Sequence, residues 1–415
     1  MKYIIVLGDG MADEPISELG SKTPLEYANT PYIDALARQS ELGLCHTIPE
    51  GMSPGSDTAN LSVLGYNPRE YYTGRSPLEA LSIGVNMKDN DIAIRCNVVT
   101  LSEEEVSFED RKMIDHSSSE ITTEESDILI RAVKEAFEDD RYQFYTGTSY
   151  RHLTIWNHGE VVELTPPHDI LGKAIKEYLP EDSYLKQMIE KSYEILNNHP
   201  INIERAKKGL HKANSIWFWG AGTKPSLVDF KEKFGKSGSM ISAVDLLKGI
   251  AIGANMDVVH VEGADGTLYT NYEGKARAAV KELVDRNQDF VYIHVEAPDE
   301  MGHQGHVWNK IKAIEYIDEK IVKIVKEELD REGTPYRMLI MPDHPTPIYC
   351  RTHTSNPVPY LLYDSTNPSY DKAEENSLLY NEKDAALGGN IVYHGHEIIN
   401  KLFSQKQVGG NICLL

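Results

Sequence analysis

At 415 residues, the chain is long enough for two domains and a sizeable core, with 40 % hydrophobic and 26 % charged residues. Its net charge of −22 argues against binding to nucleic-acid backbones, so any phosphate site must gather arginines and lysines locally. Four widely spaced cysteines follow no zinc-binding or redox pattern, which favours a reducing cytoplasm: Cys45, Cys96, Cys350 and Cys413. No apolar run approaches membrane-spanning length, and we expect neither a nucleic-acid partner nor a membrane partner.

The chain opens with a short apolar run, Tyr3 to Leu7, which is followed by Gly8 and Asp9. The run is shorter than the core of a signal peptide and predicts a first buried strand. The next element is a helix predicted in NTPYIDALARQ, where Thr30 can cap the helix and Pro31 stands in its first turn.

The stretch PEGMSPGSDTANLSVLGYNP, residues 49–68, places Ser56, Asp57 and Thr58 where an apolar helix begins. All three residue types are good helix caps, and capping alone accounts for them. The alternative is that Ser56 is a hydroxyl nucleophile at a helix N-terminus, where free backbone N–H groups favour an incoming anion.

Residues 88–212 differ in character from the rest of the chain. They are more charged, with runs such as SEEEVSFEDRK, and they contain alternating stretches such as RHLTIW that indicate antiparallel strands. We interpret this region as a smaller α+β domain inserted into a core formed by residues 1–87 and 213–415.

Further apolar runs that end in polar or glycine-rich turns are SIWFWGAG, MDVVHVEGADG, FVYIHVEAPDE, RMLIMPDH and PVPYLLYD. Near-continuous apolar runs are typical of strands that are buried on both faces. Between them, IKAIEYIDEKIVKIVKEELDREG predicts an amphipathic helix that stops at Gly333. The alternation predicts an α/β fold with a mostly parallel sheet flanked by helices.

Potential metal ligands follow three of the predicted strands, and one more lies nine residues beyond the last of these: Asp9, Asp299, His303, Asp343, His344 and His353. Each one taken alone is explained by a turn, a surface pair or a loop histidine. Because the carboxyl ends of strands meet in open α/β sheets, we expect them to converge. Three carboxylates and three imidazoles suit Mn²⁺ or Zn²⁺, and six ligands suit two ions about 3.5–4 Å apart. Such ions would activate the weak nucleophile Ser56.

The motifs GDGMAD, PGSDTANLSVLGY, TGRSPLEA, PDEMGHQG and PDHPTP…THTSNPVP resemble those of archaeal-type cofactor-independent phosphoglycerate mutases, within the alkaline phosphatase superfamily. The resemblance spans nearly the whole chain and implies an alkaline-phosphatase-like core. It also implies that 3- and 2-phosphoglycerate are interconverted, independently of 2,3-bisphosphoglycerate, through a phosphoserine at a two-metal site.

By this resemblance Ser56 is the nucleophile. One ion is assigned to Asp299, His303 and His353, and the other to Asp9, Ser56, Asp343 and His344. Manganese is the favoured ion, with zinc, magnesium and cobalt as the other candidates. The chain departs from the family pattern at Asn60, where several relatives carry a histidine, one helical turn beyond Ser56.

The resemblance further implies that basic residues of the inserted domain bind the small phosphorylated substrate. The candidates are Arg95, Asp110, Arg111, Arg151 and His152, with Lys248 of the core in addition. Arginine can grip a carboxylate or a phosphate with two parallel hydrogen bonds. Arg95 and Arg151 stand among apolar residues, so we expect each to face a ligand or a fixed acidic partner. His168 fits a capping turn as well as the edge of a pocket.

Three alternatives stay open at this point. Relatives with openings like MKYIIVLGDGMAD include proposed homoserine kinases, in which the same serine and metals would relay phosphate from a nucleotide. An ordinary nucleotide-binding loop is not predicted, because GKS at 235–237 lacks the earlier glycine. A metal-dependent phosphatase or sulfatase would let water attack the phosphoenzyme, and a non-catalytic metal-binding module would leave Ser56 without a role. The sequence leaves the oligomeric state open.

Overall fold

The structure, a computed structural model, describes residues 1–367 and 377–404. It divides into two compact units, Met1–Tyr72 with Leu227–Leu415, and Thr73–Ser226. The predicted boundaries of the inserted domain, 88 and 212, lie inside the second unit, which also holds helix Arg75–Ser82 and strand Ser215–Thr223. The division into a core and a substrate-binding domain stays a prediction. In the described residues, no helix has both the length and the apolar character needed to cross a membrane.

The strands of the described residues are numbered in chain order. They are β1 (Lys2–Gly8), β2 (Glu41–Cys45), β3 (Asp91–Leu101), β4 (Met113–Asp115), β5 (Tyr142–Tyr145), β6 (Arg151–Asn157), β7 (Ser215–Thr223), β8 (Gly238–Ile241), β9 (Asp257–Val258), β10 (Phe290–Val295), β11 (Tyr336–Met341), β12 (Val358–Asp364) and β13 (Asn390–Val392).

The helices are numbered in the same way. They are α1 (Pro24–Tyr27), α2 (Pro31–Ala37), α3 (Ser56–Val63), α4 (Pro68–Tyr71), α5 (Arg75–Ser82), α6 (Thr123–Phe137), α7 (Ser183–Leu196), α8 (Pro200–Lys207), α9 (Phe230–Phe234), α10 (Asp245–Gly253), α11 (Tyr272–Val284), α12 (Ala297–Gln304), α13 (Val307–Ile317), α14 (Lys323–Arg331), α15 (Glu382–Leu387) and α16 (Ile398–Phe403). A π-helical turn, Asp318–Val322, joins α13 to α14. Short 3₁₀ turns lie at Ser17–Leu19, Phe108–Asp110, Pro167–Ile170, Lys176–Tyr178 and Gly395–Glu397.

The first unit is built on a mostly parallel sheet. Within the described residues the strand order is β13-β2-β12-β11-β1-β10-β8-β9, and only the pairs that β12 makes with β2 and β11 are antiparallel. The central strands β1, β10 and β11 are apolar and buried along almost their whole length, as strands covered on both faces are. Helices pack on this sheet, for example α11 on β8 and β10. The predicted α/β class is confirmed.

The register of the central strands brings their carboxyl ends to one edge of the sheet. Leu7 of β1 lies beside His294 of β10 and beside Met341 of β11. The residues that follow these strands therefore start from neighbouring positions, which is the arrangement that places a site at a sheet edge.

The second unit has its own antiparallel sheet in the order β4-β3-β6-β5, with β7 paired to the other side of β3 along part of its length. Its core is separate from that of the first unit and contains large aromatic side chains such as Trp156, Trp217 and Phe144. The apolar run SIWFWGAG lies within the predicted core range 213–415. In the structure it forms β7 of this second sheet.

Candidate active site

One cluster of predicted ligands forms where α12 follows β10. Asp299 and His303 share a face of α12, and the Nε2 atom of His303 lies 3.2 Å from Asp299 Oδ2. His353 reaches the same carboxylate, with its Nε2 3.4 Å from Asp299 Oδ1 and 2.9 Å from His303 Nε2. The Nδ1 atom of His303 lies 2.9 Å from the carbonyl of Arg351, which fixes the ring. The Asp299 carboxylate raises the pKa of His303 to about 9, so a metal ion would have to displace the Nε2 proton in order to bind there.

A second cluster forms around Ser56 at the first residue of α3. The Ser56 Oγ atom lies 3.1 Å from His344 Nε2. The same nitrogen lies 3.4 Å from Asp343 Oδ2 and 3.6 Å from Asp9 Oδ1. Asp9 directly follows β1, whereas Asp343 and His344 follow β11, so three separate chain segments supply this cluster.

The hydrogen bonds of Thr346 determine which ring nitrogen of His344 carries the proton. The Thr346 hydroxyl donates to Asp299 Oδ1 at 2.5 Å, so its oxygen can only accept from His344 Nδ1, 3.3 Å away. The proton of the ring is then on Nδ1, and a bare Nε2 points at the Ser56 hydroxyl. Burial lowers the pKa of His344, which keeps the ring neutral.

The buried carboxylates of the second cluster favour the binding of a cation. Asp9 Oδ1 is buried and has no hydrogen-bond partner in the described part of the chain. Burial, together with the charges of Asp343 and Asp299, raises the pKa of Asp9 well above its ordinary value. An unpartnered carboxylate oxygen among other carboxylates is what a bound metal ion would satisfy.

Ligand atoms gather tightly enough for metal ions in two groups of the described residues. One group is Asp299, His344 and His353, and the other is Asp9, His294 and Asp343, with the atoms of each group within 4.8 Å of one another. His344 thus lies between the two clusters, whereas the family resemblance assigns it to the ion at Asp9. The donor set of carboxylates and imidazoles fits divalent metal ions.

The sequence analysis did not identify two residues that lie at the site, His294 and Tyr292. His294 lies inside the apolar strand β10, where strand patterning gave no reason to single it out. Tyr292 lies two residues earlier, on the same face of that strand, and donates to Asn60 Oδ1 at 2.5 Å. Asn60 in turn donates to Asp343 Oδ2 and to the Ser56 carbonyl, each at 2.8 Å.

Two loops of the site are fastened by a buried lysine. Lys310 Nζ forms an ion pair with Asp13 Oδ2 at 2.8 Å and donates to the carbonyls of Ala12 and Thr346 at 3.2 and 2.8 Å. Gly10, with φ of +62°, lets the first loop approach Asp299, since a Cβ there would lie 2.7 Å from the Asp299 carboxylate.

Of the predicted substrate residues in the second unit, Arg95 and Arg151 differ in burial. Arg95 is 6 % exposed, pairs with Glu79 at 2.8 Å and lies over the Trp219 ring at 4.4 Å. Burial lowers the pKa of Arg95 to about 10. Arg151 is exposed and lies over Tyr150.

Around Arg95 the structure assembles further residues that the sequence analysis did not propose as substrate ligands. The His168 ring lies 5.4 Å from Trp219 and 6.1 Å from the His116 ring, which in turn lies 5.8 Å from Tyr150. Arg75 pairs with Glu79, the same carboxylate that Arg95 contacts, and Arg151 lies over the Tyr150 ring that His116 also contacts. We call the set Arg75, Arg95, His116, Arg151 and His168 the basic cluster. The motif TGRSPLEA contains Arg75 and was the signal that could have found it.

The remaining substrate candidates make contacts of other kinds. Arg111 donates to the carbonyl of Ser102 at 2.6 Å and lies over Tyr193, and Asp110 is exposed in a 3₁₀ turn. His152 is buried, accepts a hydrogen bond from the Gly147 N–H on Nδ1, and has its pKa lowered to about 4 by burial.

Lys248 of the first unit pairs with Asp245, three residues earlier on α10. An i,i+3 pair of this kind is a common surface feature of helices, so it adds nothing to the case for Lys248 as a substrate ligand.

Comparison with known proteins gives consistent matches over the whole chain. A family model described as 2,3-bisphosphoglycerate-independent phosphoglycerate mutase matches residues 37–202. The protein of that name from Methanosarcina barkeri is 45 % identical over 98 % of this chain and 100 % of its own length. A probable enzyme of the same name from Geobacter sulfurreducens is 46 % identical over the same shares.

Solved structures agree with these sequence matches. A protein from Pyrococcus horikoshii is 31 % identical, with a TM-score of 0.79 over 98 % of this chain and 99 % of its own. A cofactor-independent phosphoglycerate mutase from Thermoplasma acidophilum is 25 % identical, with a TM-score of 0.64 over 97 % of this chain and 99 % of its own.

Proposed function

Because this chain belongs to the family of 2,3-bisphosphoglycerate-independent phosphoglycerate mutases, we propose that it interconverts 3- and 2-phosphoglycerate with Ser56 as nucleophile. The observation that carries the proposal is the 3.1 Å approach of the Ser56 hydroxyl to His344 Nε2, inside a buried set of carboxylates. A serine that served only as a helix cap would not need such neighbours, and Ser56 is the first residue of α3 rather than its cap.

The ligand sets support a centre for two divalent metal ions. We assign Asp299, His303 and His353 to one ion and Asp9, Ser56, Asp343 and His344 to the other. We take manganese as the ion, with zinc, magnesium or cobalt as substitutes. When bound, such ions favour the serine alkoxide and stabilise the charge of a phosphoryl group in transfer.

With the metal ions bound, the reaction needs no further phosphorylated compound. The Ser56 hydroxyl loses its proton and its Oγ attacks phosphorus, the bond from phosphorus to the C3 oxygen breaks, and that oxygen takes up a proton. The C2 hydroxyl of the glycerate then loses a proton and attacks the phosphoserine, the bond from phosphorus to Ser56 Oγ breaks, and Oγ takes up a proton. No second phosphorylated compound is consumed, and the phosphate and carboxylate of the substrate are anions of the kind that arginines bind in bidentate fashion.

We assign the binding of these anionic groups to Arg75, Arg95 and Arg151 of the basic cluster. The three guanidinium groups supply local positive charge in a chain of net charge −22, and the Glu79 carboxylate, which pairs with Arg75 and Arg95, offsets part of it. Burial lowers the pKa of His168, so its neutral ring can contribute hydrogen bonds rather than charge. Arg111 is not assigned, since its contacts with Ser102 and Tyr193 already fix it within the second unit.

The test is a turnover assay on metal-loaded protein with 3-phosphoglycerate and no bisphosphoglycerate, followed by ³¹P NMR. We expect 2-phosphoglycerate to appear, and chelation to stop its formation. The same preparation is given homoserine and ATP in a parallel sample. Kinase turnover without mutase turnover would contradict the proposal, and so would release of free phosphate faster than isomerisation.

We propose the cytoplasm as the compartment. The cysteines of the described residues, Cys45, Cys96 and Cys350, are free thiols, and reduced thiols persist in the cytoplasm. Cys413 lies outside the described residues. Fractionation of the native host, with the mutase activity in the cytoplasmic fraction, would test this assignment.

A further inference from the structure

His294 lies at the centre of the site without belonging to the ligand sets that we assign. Its side chain is fully buried in β10, directly beside Leu7 of β1, two positions before Asp9. One ring nitrogen, Nε2, lies 3.0 Å from Asp9 Oδ2, and the other, Nδ1, lies 3.2 Å from Ser242 Oγ. The carbonyl of His294 accepts from Lys275 Nζ at 2.9 Å, which fixes the backbone that carries the ring.

The hydrogen-bond directions assign the tautomer of this ring. The Val244 N–H donates to Ser242 Oγ at 3.0 Å, which leaves the hydroxyl hydrogen of Ser242 free to donate to His294 Nδ1. Asp9 that binds a cation is ionised and can only accept, so in the metal-bound protein the ring proton stands on Nε2 and points at Oδ2. A neutral ring with Nε2–H has no lone pair on that nitrogen for a metal ion.

The two oxygens of Asp9 are therefore unequal. Oδ2 is occupied by the His294 N–H, whereas Oδ1 is buried without a hydrogen-bond partner in the described part of the chain. We propose that His294 is a positioning residue that holds Asp9 Oδ2, so that Oδ1 alone binds a divalent cation. This inference rests on the proposed metal centre, since it says which oxygen serves that centre.

The competing role for His294 is that of a ligand, because its ring lies within 4.8 Å of Asp9 and Asp343 ligand atoms. Two substitutions separate the roles. In His294→Gln the side-chain amide reaches the position of Nε2 and can still donate to Asp9. In His294→Asn the amide reaches only the position of Nδ1, and the donor to Asp9 is lost.

The experiment is a titration of metal-free protein with Mn²⁺, read by calorimetry and by the electron paramagnetic resonance of free Mn²⁺. We expect His294→Asn to weaken one of the two sites about 10–100-fold, as loss of a ligand's hydrogen-bond partner does, and to leave the other unchanged. His294→Gln should bind within about threefold of the wild type. Far-UV circular dichroism confirms that each variant is folded.

Two results would overturn the inference. Equal weakening by both substitutions would make His294 a ligand, and no weakening by either would deny it any role at Asp9. If His294→Asn does not fold, the tautomer decides: ¹⁵N NMR of histidine-labelled wild type loaded with the diamagnetic ion Zn²⁺ or Mg²⁺ must show Nε2–H for His294, and Nδ1–H would contradict the proposal. Two bound ions without mutase turnover would contradict the proposed function but leave this inference standing.

Discussion

Asn60 connects the nucleophile to a metal-ligand candidate by hydrogen bonds of a single side chain. Its amide nitrogen donates to the Ser56 carbonyl and to Asp343 Oδ2, while its oxygen accepts from Tyr292. The two N–H donors of the amide allow one side chain both to support Asp343 and to bond the first turn of α3, whereas a neutral histidine has a single N–H donor.

Ser56→Ala tests the role of the hydroxyl. We expect turnover to fall by about 10⁴-fold or more, as loss of a nucleophile does. The fold should survive, because Ser56 is not the cap of α3 and its side chain contacts His344 rather than the helix backbone. Steady-state kinetics and Mn²⁺ titration of the variant check both points, and turnover near the wild-type value would remove Ser56 from the mechanism.

Arg151→Ala and Arg111→Ala form a matched pair of arginine deletions. Loss of a charged hydrogen bond to substrate costs about 1.5–3 kcal/mol, so Arg151→Ala should raise KM about 10–100-fold. Arg111→Ala should leave KM unchanged, because Arg111 is held by Ser102 and Tyr193. Kinetics on 3-phosphoglycerate decide the matter, and an unchanged KM for Arg151→Ala would exclude it from substrate binding.

Residue types at strand ends were enough to predict that the candidate ligand side chains lie close together. Asp9 and Asp343 follow parallel strands, and topology then forces them together. His294 could not be predicted in the same way, since a histidine inside an apolar strand is indistinguishable in sequence from one buried for packing. The contacts of Arg111 and Arg95 were likewise beyond the sequence, because they depend on which strands pair in the second unit.

At the scale of elements, the site depends on how α15 is joined to the first loop. Glu382, the first residue of α15, accepts from the Asp13 N–H at 3.0 Å and from the Thr23 hydroxyl at 2.6 Å. Burial raises the pKa of Glu382 to about 7. One buried carboxyl thus links α15 to α1 and to the loop that also carries Asp9.

Because the pKa of Glu382 is raised in the folded protein, we expect the free energy of unfolding to depend on pH. The folded pKa of about 7 lies above the unfolded value, so the protonated form favours folding and that contribution is lost as pH rises from about 4 to 7. Glu382→Gln mimics the protonated carboxyl without a charge, because its oxygen can accept from the Asp13 N–H while its NH₂ donates to the Thr23 hydroxyl oxygen. The free energy of unfolding of the variant should equal that of the wild type near pH 4. At pH 8 it should be higher than that of the wild type by about 3 kcal/mol.

Urea denaturation at pH 4 to 8, with chelator present in every sample, measures the difference. The exposed Glu160→Gln serves as control and should follow the wild-type curve. A Glu382→Gln curve parallel to that of the wild type at all pH values would contradict the account.

Several elements departed from the sequence prediction for physical reasons. The run MDVVHVEGADG yields only the two-residue edge strand β9, because its partner β8 is itself short. The predicted long helix is divided by the π-turn Asp318–Val322, where Asp318 accepts from the Ile33 N–H at 2.6 Å. Periodicity cannot report a turn that is selected by a contact with another helix.

At the scale of the whole molecule, metal binding and folding are coupled. The first unit places Asp9, Asp299 and Asp343 in one buried region, where like charges raise the pKa of Asp9. A cation that binds the folded chain but not the unfolded chain stabilises the fold by mass action. The two units have separate cores, so this stabilisation belongs to the first unit.

Removal of metal should therefore lower the melting temperature. At a free Mn²⁺ concentration of about 100 Kd, each bound ion adds about 2.7 kcal/mol, which corresponds to roughly 5–10 °C per ion for a unit of this size. Calorimetry with Mn²⁺ and with chelator measures the shift. Asp9→Asn should melt higher than the wild type without metal, since a buried carboxyl among like charges is gone, and should lose the share of the response that belongs to one of the two ions. Identical melting of the wild type in both buffers would refute the coupling.

The most direct test of the central claim is a single turnover stopped by acid. Metal-loaded protein is mixed with ³²P-labelled 3-phosphoglycerate, quenched within milliseconds and digested, and the labelled peptide is sequenced by mass spectrometry. The account predicts label on Ser56, and no label after chelation. Label on another residue, or turnover without any labelled peptide, would contradict it.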